Sequence, residues 1–388
     1  MISVSEALDA LFALLPAHRI ETVPLLEAHG RVLAGPVAAT RDQPPFAASA
    51  MDGYAVVDAK PGVPLTVIGE SAAGRGFADH VGEGQAVRIF TGAPIPTGAT
   101  RVILQEDVTR QGDRITPGDR MDPGDNIRAA GNDFRAGSGM PFPRVLSSSD
   151  IAQLAAMNVA RVPVSRRPRV ALVATGDELV MPGETPGPDQ IVASNTFGLH
   201  ALLRDLGAEP RMLPIARDTV VSLKTVLGMI DDADLVITVG GASKGDHDLV
   251  APVAAELGME RAFHMVAMRP GKPLMSGRLG SAVMIGLPGN PVSAMVCGHV
   301  FVGPVVRAMQ GLPAQAVPRL SGELAHDLAA NGPREHYMRA RHAPDGLHVF
   351  ERQDSSLLHV LGAADALVVR PVLDPVRKAG DLVDYIPL

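Results

Sequence analysis

Residues Leu235 to Val239 form an uninterrupted β-favouring run, followed by Gly240, Gly241, a short polar turn and a second apolar stretch from Leu249 to Leu257. A run this apolar, bounded by turn residues, predicts a strand of a parallel sheet buried on both faces. The stretch after it predicts a helix, with Asp248 as its N-cap because a carboxylate there accepts the free N–H groups of the first turn. The same rhythm surrounds it: strand Val170 to Ala174, helix Thr196 to Leu206 stopped by Gly207, strand Met212 to Ile215, and helix Thr219 to Ile230. Strands alternating with helices predict a parallel sheet covered by helices. Ligands of such sheets bind beyond the carboxyl ends of the strands. Those ends carry Thr175-Gly176-Asp177-Glu178, Arg217-Asp218 and the turn from Gly240 through Ser243 and Gly245 to Asp248. Gly240 and Gly241 permit close backbone approach, and exposed N–H groups in such a turn favour an anion. An ordinary βα turn with a capped helix accounts for the same residues taken alone.

The pattern differs at both ends of the chain. Ser3 and Glu6 have the spacing of a capping box, and Leu8, Leu11, Phe12 and Leu15 then share a helical face. After Pro36 come short β-like pieces, Gly53 to Val57, Leu65 to Ile68, Ala86 to Phe90 and Arg101 to Leu104, which predict a small all-β module over 45–126. Ser147 and Asp150 repeat the capping arrangement ahead of Ile151, Leu154 and Met157, so the module reads as an insertion into a helical stem made of 1–44 and 127–166. Arg166-Arg167-Pro168 reads as a linker into an α/β domain over 167–314. The remainder, 315–388, returns to short strands such as Leu367 to Val369 and Leu382 to Tyr385, a small separate β domain expected to be barrel-like. The fold class is thus multidomain α/β.

Composition narrows the function. With 388 residues the chain exceeds the roughly 100 to 200 residues of one domain. A net charge of −7 disfavours broad nucleic-acid binding. The single cysteine, Cys297, excludes an intrachain disulfide and a cysteine-cluster metal site, and its apolar setting from Ala294 to Val302 reads as a buried small hydrophobe. No secretory pattern opens the chain and no stretch reads as a membrane span, so a cytoplasmic protein without membrane partners is expected. Gly271-Lys272 is followed by proline, which rules out a Walker-type phosphate loop, and neither G-x-G-x-x-G after a strand nor H-E-x-x-H occurs.

Glu178, Asp218 and Asp248 near helix starts form an oxygen-only donor set, which selects Mg2+ bridging the acids and a phosphorylated substrate. Arg269-Pro270-Gly271-Lys272-Pro273 offers two cations for a further anion. Leu287-Pro288-Gly289-Asn290-Pro291 precedes a long apolar helix, with Asn290 suited to the N-cap and Pro291 to the first helical position.

Ser49 to Ala55, Arg88 to Pro94, Asn126 to Arg128 with Asp133, Thr175 to Leu179, Gly240 to Asp248, Pro270 to Pro273 and Leu287 to Ala294 resemble, in order, the motif series of the molybdopterin molybdenumtransferases of the MoeA type, a family that includes the C-terminal domain of gephyrin. The resemblance covers nearly the whole chain. It implies insertion of molybdenum from molybdate into the dithiolene of adenylylated molybdopterin, with release of AMP and a requirement for Mg2+. It also implies an elongated homodimer whose active sites lie between the α/β domain of one subunit and the β-module of the other, and a possible molybdopterin adenylyltransferase partner. Carried over by motif, the functional positions are Asp52, Thr91, Arg128, Asp133, Glu178, Asp218, Asp248, Lys272, Pro288 and Pro291, with Ser355 as the match in the C-terminal domain. Thr175, Gly176, Asp177, Gly240, Gly241, Ser243, Gly245, Arg269, Pro270, Gly271, Gly289 and Asn290 are the expected substrate-binding neighbours.

This chain departs from the family pattern in places. A lysine common ahead of the Pro-Gly-Lys-Pro turn is absent, with Met265 further back and Arg269 immediately before the turn. Lys244 stands in the glycine loop, where it offers a replacement charge. Asp354-Ser355-Ser356 and Ala364-Asp365-Ala366 match the usual glycine-containing motifs poorly. Two alternatives stand beside the transferase: a non-catalytic pterin-binding scaffold, and a pterin-nucleotide enzyme that inserts no metal.

Overall fold

The computed structural model describes residues 1–241 and 249–388. The chain divides into two compact units, Met1–Glu21 with Ser165–Leu388, and Thr22–Val164.

The first unit is built on a six-stranded sheet in the order Glu209–Met212, Arg169–Ala174, Leu235–Val239, Ala282–Leu287, Met275–Leu279, Glu260–His264. Leu235–Val239 lies inside the sheet with every residue buried, as its unbroken apolar run requires. The four strands from Glu209–Met212 to Ala282–Leu287 are parallel. Met275–Leu279 runs antiparallel to both its neighbours, Ala282–Leu287 and Glu260–His264, so the sheet is mixed rather than purely parallel. The tight hairpin from Met275 to Leu287 permits an antiparallel return without a crossover helix. The strand expected at Met212 to Ile215 instead spans Glu209–Met212. As an edge strand with a partly exposed face it carries no continuous apolar run to mark it.

Helices Asn195–Asp205 and Val220–Leu227 follow the expected pattern, the latter with Thr219 as a side-chain N-cap. Helix Val250–Glu256 begins one residue later than expected, with Leu249 at its N-cap position. Asp248, Ser243, Gly245 and Lys244, and the roles expected of them, lie outside the described residues.

Three expectations need correction in this unit. The N-terminal helix Val4–Phe12 has its capping box, but it does not belong to a stem with 127–166: Val4, Ala7, Leu8 and Leu11 enter the same core as Val170, Val266 and Val300. The C-terminal segment has a core of its own around Leu324, Leu347 and Val368, but it is not independent of the α/β core. Its strand Glu335–Ala343 pairs in parallel with Met268–Arg269, and Tyr337, Leu367, Val369 and Ile386 share that core. Its sheet runs Met268–Arg269, Glu335–Ala343, Ala366–Arg370, Leu382–Pro387, Leu320–Glu323, with Gly346–Val349 paired to Glu335–Ala343. A bridge from Leu324 to Leu347 brings its far end back beside Gly346–Val349. Finally, a helical stretch from Pro291 to Met309 is 19 residues long and apolar enough to cross a membrane, with 78% of its window buried inside the protein. Its glycines, prolines and Arg307 hide that length in the sequence, and it packs as a core helix.

The second unit contains a six-stranded sheet in the order Arg101–Leu104, Gly53–Val56, Gln85–Ile89, Leu65–Ser71, Arg114–Pro117, Val108–Gln111. The four expected strands are present. The outer hairpin Val108–Gln111/Arg114–Pro117 escapes a pattern reading because its edge strand is almost wholly exposed and polar. The flanking segment is not a helical stem. It has the capped helix Ser148–Ala156, but also the strand Val32–Leu33 paired with Arg144–Val145 and with Arg161–Ser165. Strands of two residues are too short to show alternation.

Candidate active site

A cavity of about 810 Å3 opens beyond the carboxyl ends of the parallel strands. Thr175, Gly176 and Glu178 reach it from the end of Arg169–Ala174, Asp218 from the loop after Glu209–Met212, Gly240 and Gly241 from the end of Leu235–Val239, and Pro288, Gly289, Asn290 and Pro291 from the end of Ala282–Leu287. Of the residues that the strand-end rule selected in the sequence, the structure brings Thr175, Gly176, Glu178, Asp218, Gly240 and Gly241 to one cavity, and Arg217 and Asp177 do not line it.

Local geometry explains why these residue types stand there. Gly240 has φ +98°, and a Cβ on it would sit 2.7 Å from both the carbonyl oxygen and Oγ1 of Thr175. Its N–H is already donated to Leu287 O at 3.1 Å, so Gly240 serves close approach rather than anion binding. That corrects half of the expected cradle. The Glu178 carboxylate lies over Gly176, where a Cβ would come 2.4 Å from Oε2. Asp177 is not among the cavity residues. Its Oδ1 accepts the Asp218 N–H at 3.1 Å and so joins the first two strand ends. Arg217 Nη1 donates to the carbonyls of Gly176, Asp177 and Leu179 at 3.1 to 3.3 Å. That single nitrogen thus ties down the loop that carries Glu178.

Several cavity residues were not singled out in the sequence. Ser194, Asn195 and Thr196 line it at the start of the 11-residue helix Asn195–Asp205, which has no side-chain cap. The first-turn N–H groups of such a helix form an anion site. Asn195 Nδ2 donates to Gly289 O at 2.7 Å, tying that helix start to the Pro288–Pro291 turn. Asn290 holds the N-cap position of helix Pro291–Cys297 with Pro291 at the first turn, but its side chain makes no capping bond. Ser356, rather than Ser355, lines the cavity; Ser355 contributes its carbonyl, which accepts the Val292 N–H at 3.0 Å.

Arg269, Pro270, Gly271 and Lys272 do not line the cavity, though Pro273 at the end of their turn does. Lys272 is exposed. Cys297 Sγ lies 4.0 Å from Gly271 O, in full burial that pushes the thiol up and keeps it protonated. Beside the turn, Arg269 faces His336 across paired strands. Arg339, next along that strand, is fully buried, with Nη2 donating to Asp354 O at 2.9 Å and with Nε and Nη1 unpartnered. Burial, followed by the charges of Arg269, Arg339, Arg370 and Arg334, pushes His336 down to about 4, so it is neutral at pH 7. Buried guanidinium N–H groups without acceptors are costly to leave bare. A sequence signal existed: Arg339 has the same parity as the buried Tyr337, a cation on an inward-facing strand position.

In the Thr22–Val164 unit, Asp52 and Thr91 bond to each other, and Arg128 lies on a strand paired with Ala48–Ser49. Asp52 Oδ1 accepts both the N–H and the hydroxyl of Thr91, at 2.7 and 2.8 Å. The Thr91 backbone bond, then its hydroxyl, with a smaller contribution from Arg88, holds the Asp52 carboxyl below the usual carboxylate range. Ser49 exchanges backbone bonds with Gly92 and Ala93, while Ile127–Arg128 pairs with Ala48–Ser49. Asp133 follows, its N–H bonded to Gln43 O at 2.9 Å. Asp52, Thr91, Arg128 and Asp133 are all exposed.

Family models match the chain almost end to end: the MoeA N-terminal region (domain I and II) over 2–158, a probable molybdopterin binding domain over 171–308, and the MoeA C-terminal region (domain IV) over 321–388. The chain belongs to the MoeA family. It is 38% identical to a molybdopterin molybdenumtransferase of Nostoc sp. over 98% of this chain and 92% of that one. A Haemophilus influenzae protein of the same name is 36% identical over 80% of this chain and 78% of that one. A MoeA structure from Pyrococcus horikoshii superposes with a TM-score of 0.86 at 28% identity, covering 100% of both chains. For a MoeA protein the Arg169–Ala174 to Ala282–Leu287 region is the part matched by the molybdopterin-binding model, and it holds the cavity.

Among the described residues, no group of three or more His, Cys, Asp or Glu side chains is arranged to hold a metal ion. Glu178 and Asp218 do share the cavity. Two carboxylates, with no histidine or cysteine among the described residues lining the cavity, suit Mg2+, which takes one or two carboxylates and completes its shell with phosphate oxygens and water.

Proposed function

We infer that the protein is a molybdopterin molybdenumtransferase, which inserts molybdenum from molybdate into adenylylated molybdopterin and releases AMP. The observation that carries this reading is the strand-end cavity, where two carboxylates, a glycine-lined approach and an uncapped helix start face one volume. The start of helix Asn195–Asp205 binds phosphate oxygens of the substrate through its orphan N–H groups. Glu178 and Asp218 would hold Mg2+, which would supply charge neutralisation for the phosphoanhydride. Asp177 and Arg217 keep those carboxylates in place through the bonds described above. The unpartnered donors of Arg339, with Arg269 and Lys272 nearby in sequence to its neighbours, take the tetrahedral oxyanion. An occupied anion site there would satisfy donors that the fold leaves bare.

The test is AMP release from adenylylated molybdopterin with Mg2+, with and without molybdate. Molybdate-dependent release that Asp218→Asn lowers by about 100-fold supports the reading. Release without molybdate favours a pterin-nucleotide enzyme that inserts no metal, and binding without release favours a scaffold.

The Asp52–Thr91–Arg128 cluster completes the site in a homodimer, each copy lending it to the other. Its exposure and its place in the family motif series support this assignment. Mixing Asp52→Asn with Asp218→Asn, each inactive alone, restores activity through hybrid dimers to about a quarter of the sites. Failure to complement, with hybrids verified by mass, would count against shared sites. The working parts are 45–126, 167–314 and 315–388, the first lending side chains and the other two enclosing the ligand. The molybdopterin adenylyltransferase that makes the adenylylated substrate is the expected donor partner, and the surroundings are expected to be cytoplasmic.

A further inference from the structure

We propose that Arg88 is a positioning residue that locks Asp52 and Thr91 into one unit; the proposal rests on the reading that those two residues serve the transferase reaction. Asp52 precedes the strand Gly53–Val56 and Thr91 follows the strand Gln85–Ile89 by two residues, so their side chains sit at adjacent ends of paired strands. Nothing in that pairing alone fixes their separation, because each lies on a turn beyond the ladder.

Arg88 spans both ends. It stands directly across from Tyr54 in the ladder. Its Nη1 donates to Gly53 O at 2.8 Å, the carbonyl of the residue after Asp52. Its Nη2 donates to Gln105 Oε1 at 2.6 Å, and Gln105 N–H in turn donates to Asp52 O at 3.2 Å. The guanidinium carbon lies 5.2 Å from the Tyr54 ring centre and 4.6 Å from that of Phe90, the residue before Thr91. Phe90 also opens the turn that presents Thr91, since its carbonyl accepts the Ala93 N–H at 2.9 Å. One planar cation therefore grips the carbonyl next to Asp52, the side chain of Gln105, whose backbone N–H bonds Asp52's own carbonyl, and the ring next to Thr91. A lysine cannot do this, because it has neither the fork nor the flat face.

The fixed geometry has a chemical use. With Thr91 bonded twice to Asp52 Oδ1, the other carboxylate oxygen makes no hydrogen bond among the described residues and is held for an external donor or cation. Small displacements of such a group cost rate rather than binding.

The experiment is AMP release by the full-length protein, with thermal denaturation as a check on folding. Arg88→Met and Arg88→Lys should each lower kcat by about 10- to 100-fold with KM for molybdate little changed. The decisive arm is a double-mutant cycle with Thr91→Ala. If Arg88 acts through the Asp52–Thr91 pair, Arg88→Met adds less than about twofold to the loss already caused by Thr91→Ala. Independent, multiplying losses would overturn the proposal, as would wild-type kcat in Arg88→Lys. Should Arg88→Met fail to fold, the cycle is run with Arg88→Lys. Wild-type release by Asp52→Asn and Thr91→Ala would remove the underlying reading of the cluster instead, and the role of Arg88 with it.

Discussion

The strand-end cavity and the Asp52–Thr91 turn belong to one motif series, yet they are built by different means. In the cavity the chain supplies buried backbone: Thr175 and Gly240 are packed so closely that no side chain fits, and the carboxylates hang from loops tied by Arg217 and Asp177. In the Thr22–Val164 unit the groups are exposed side chains on turns, held by two hydrogen bonds to one oxygen and by a stacked arginine. A site made of backbone is expensive to alter and tolerates little. A site made of exposed side chains tolerates changes of shape and depends on what covers it.

The largest expected effect tests that contrast with one chemical change made twice. Gly240→Ala combines a left-handed backbone with a Cβ contact at 2.7 Å, and should destabilise the protein by about 2–3 kcal/mol, read from the urea midpoint, while abolishing AMP release. Gly92→Ala, at φ +80° but in open space, should cost only about 1 kcal/mol and leave release measurable. Equal costs would break the comparison.

A smaller effect separates stability from ligand binding at the buried cation. Arg339→Met removes a desolvated charge with unpartnered donors, so stability should stay level or rise, whereas molybdate-dependent release should fall by about 10- to 100-fold. A marked drop in the denaturation midpoint would identify Arg339 as a structural ion instead.

The smallest effect is on pH dependence. His336 is neutral when folded and pushed down to about 4 from 6.5, so between those values only the unfolded chain gains its proton. Stability therefore falls as pH drops from about 6.5 to about 4, and His336 adds nothing above that window. His299, pushed down by burial, adds the same sign. Burial alone would raise Asp374, but hydrogen bonds from Arg377 and Arg370 hold it below its ordinary 3.8, so its contribution is lost only under more acid conditions. Urea midpoints at pH 7 and pH 5 should therefore differ less in His336→Gln than in the unchanged protein.

Much of this was open to a reader of the chain alone. Apolar period and turn residues determine local structure: the buried run Leu235–Val239, both capping boxes and four of the six strands of the β-module sheet follow from interactions within a few residues. The motif order determined the family, and the strand-end rule selected Glu178 and Asp218 for one cavity. Tertiary structure alone decided what depends on distant partners. Helix Val4–Phe12 joined the α/β core because its apolar face met Val170 and Val300, a choice that its own pattern leaves free. Ser356 rather than Ser355 reached the cavity because the Ser355 carbonyl is engaged by Val292. Arg339 acquired its character from burial, since a guanidinium left without acceptors is defined by what its neighbours do not offer. Local propensity is written residue by residue, whereas desolvation and long-range contact exist only after the chain has closed on itself.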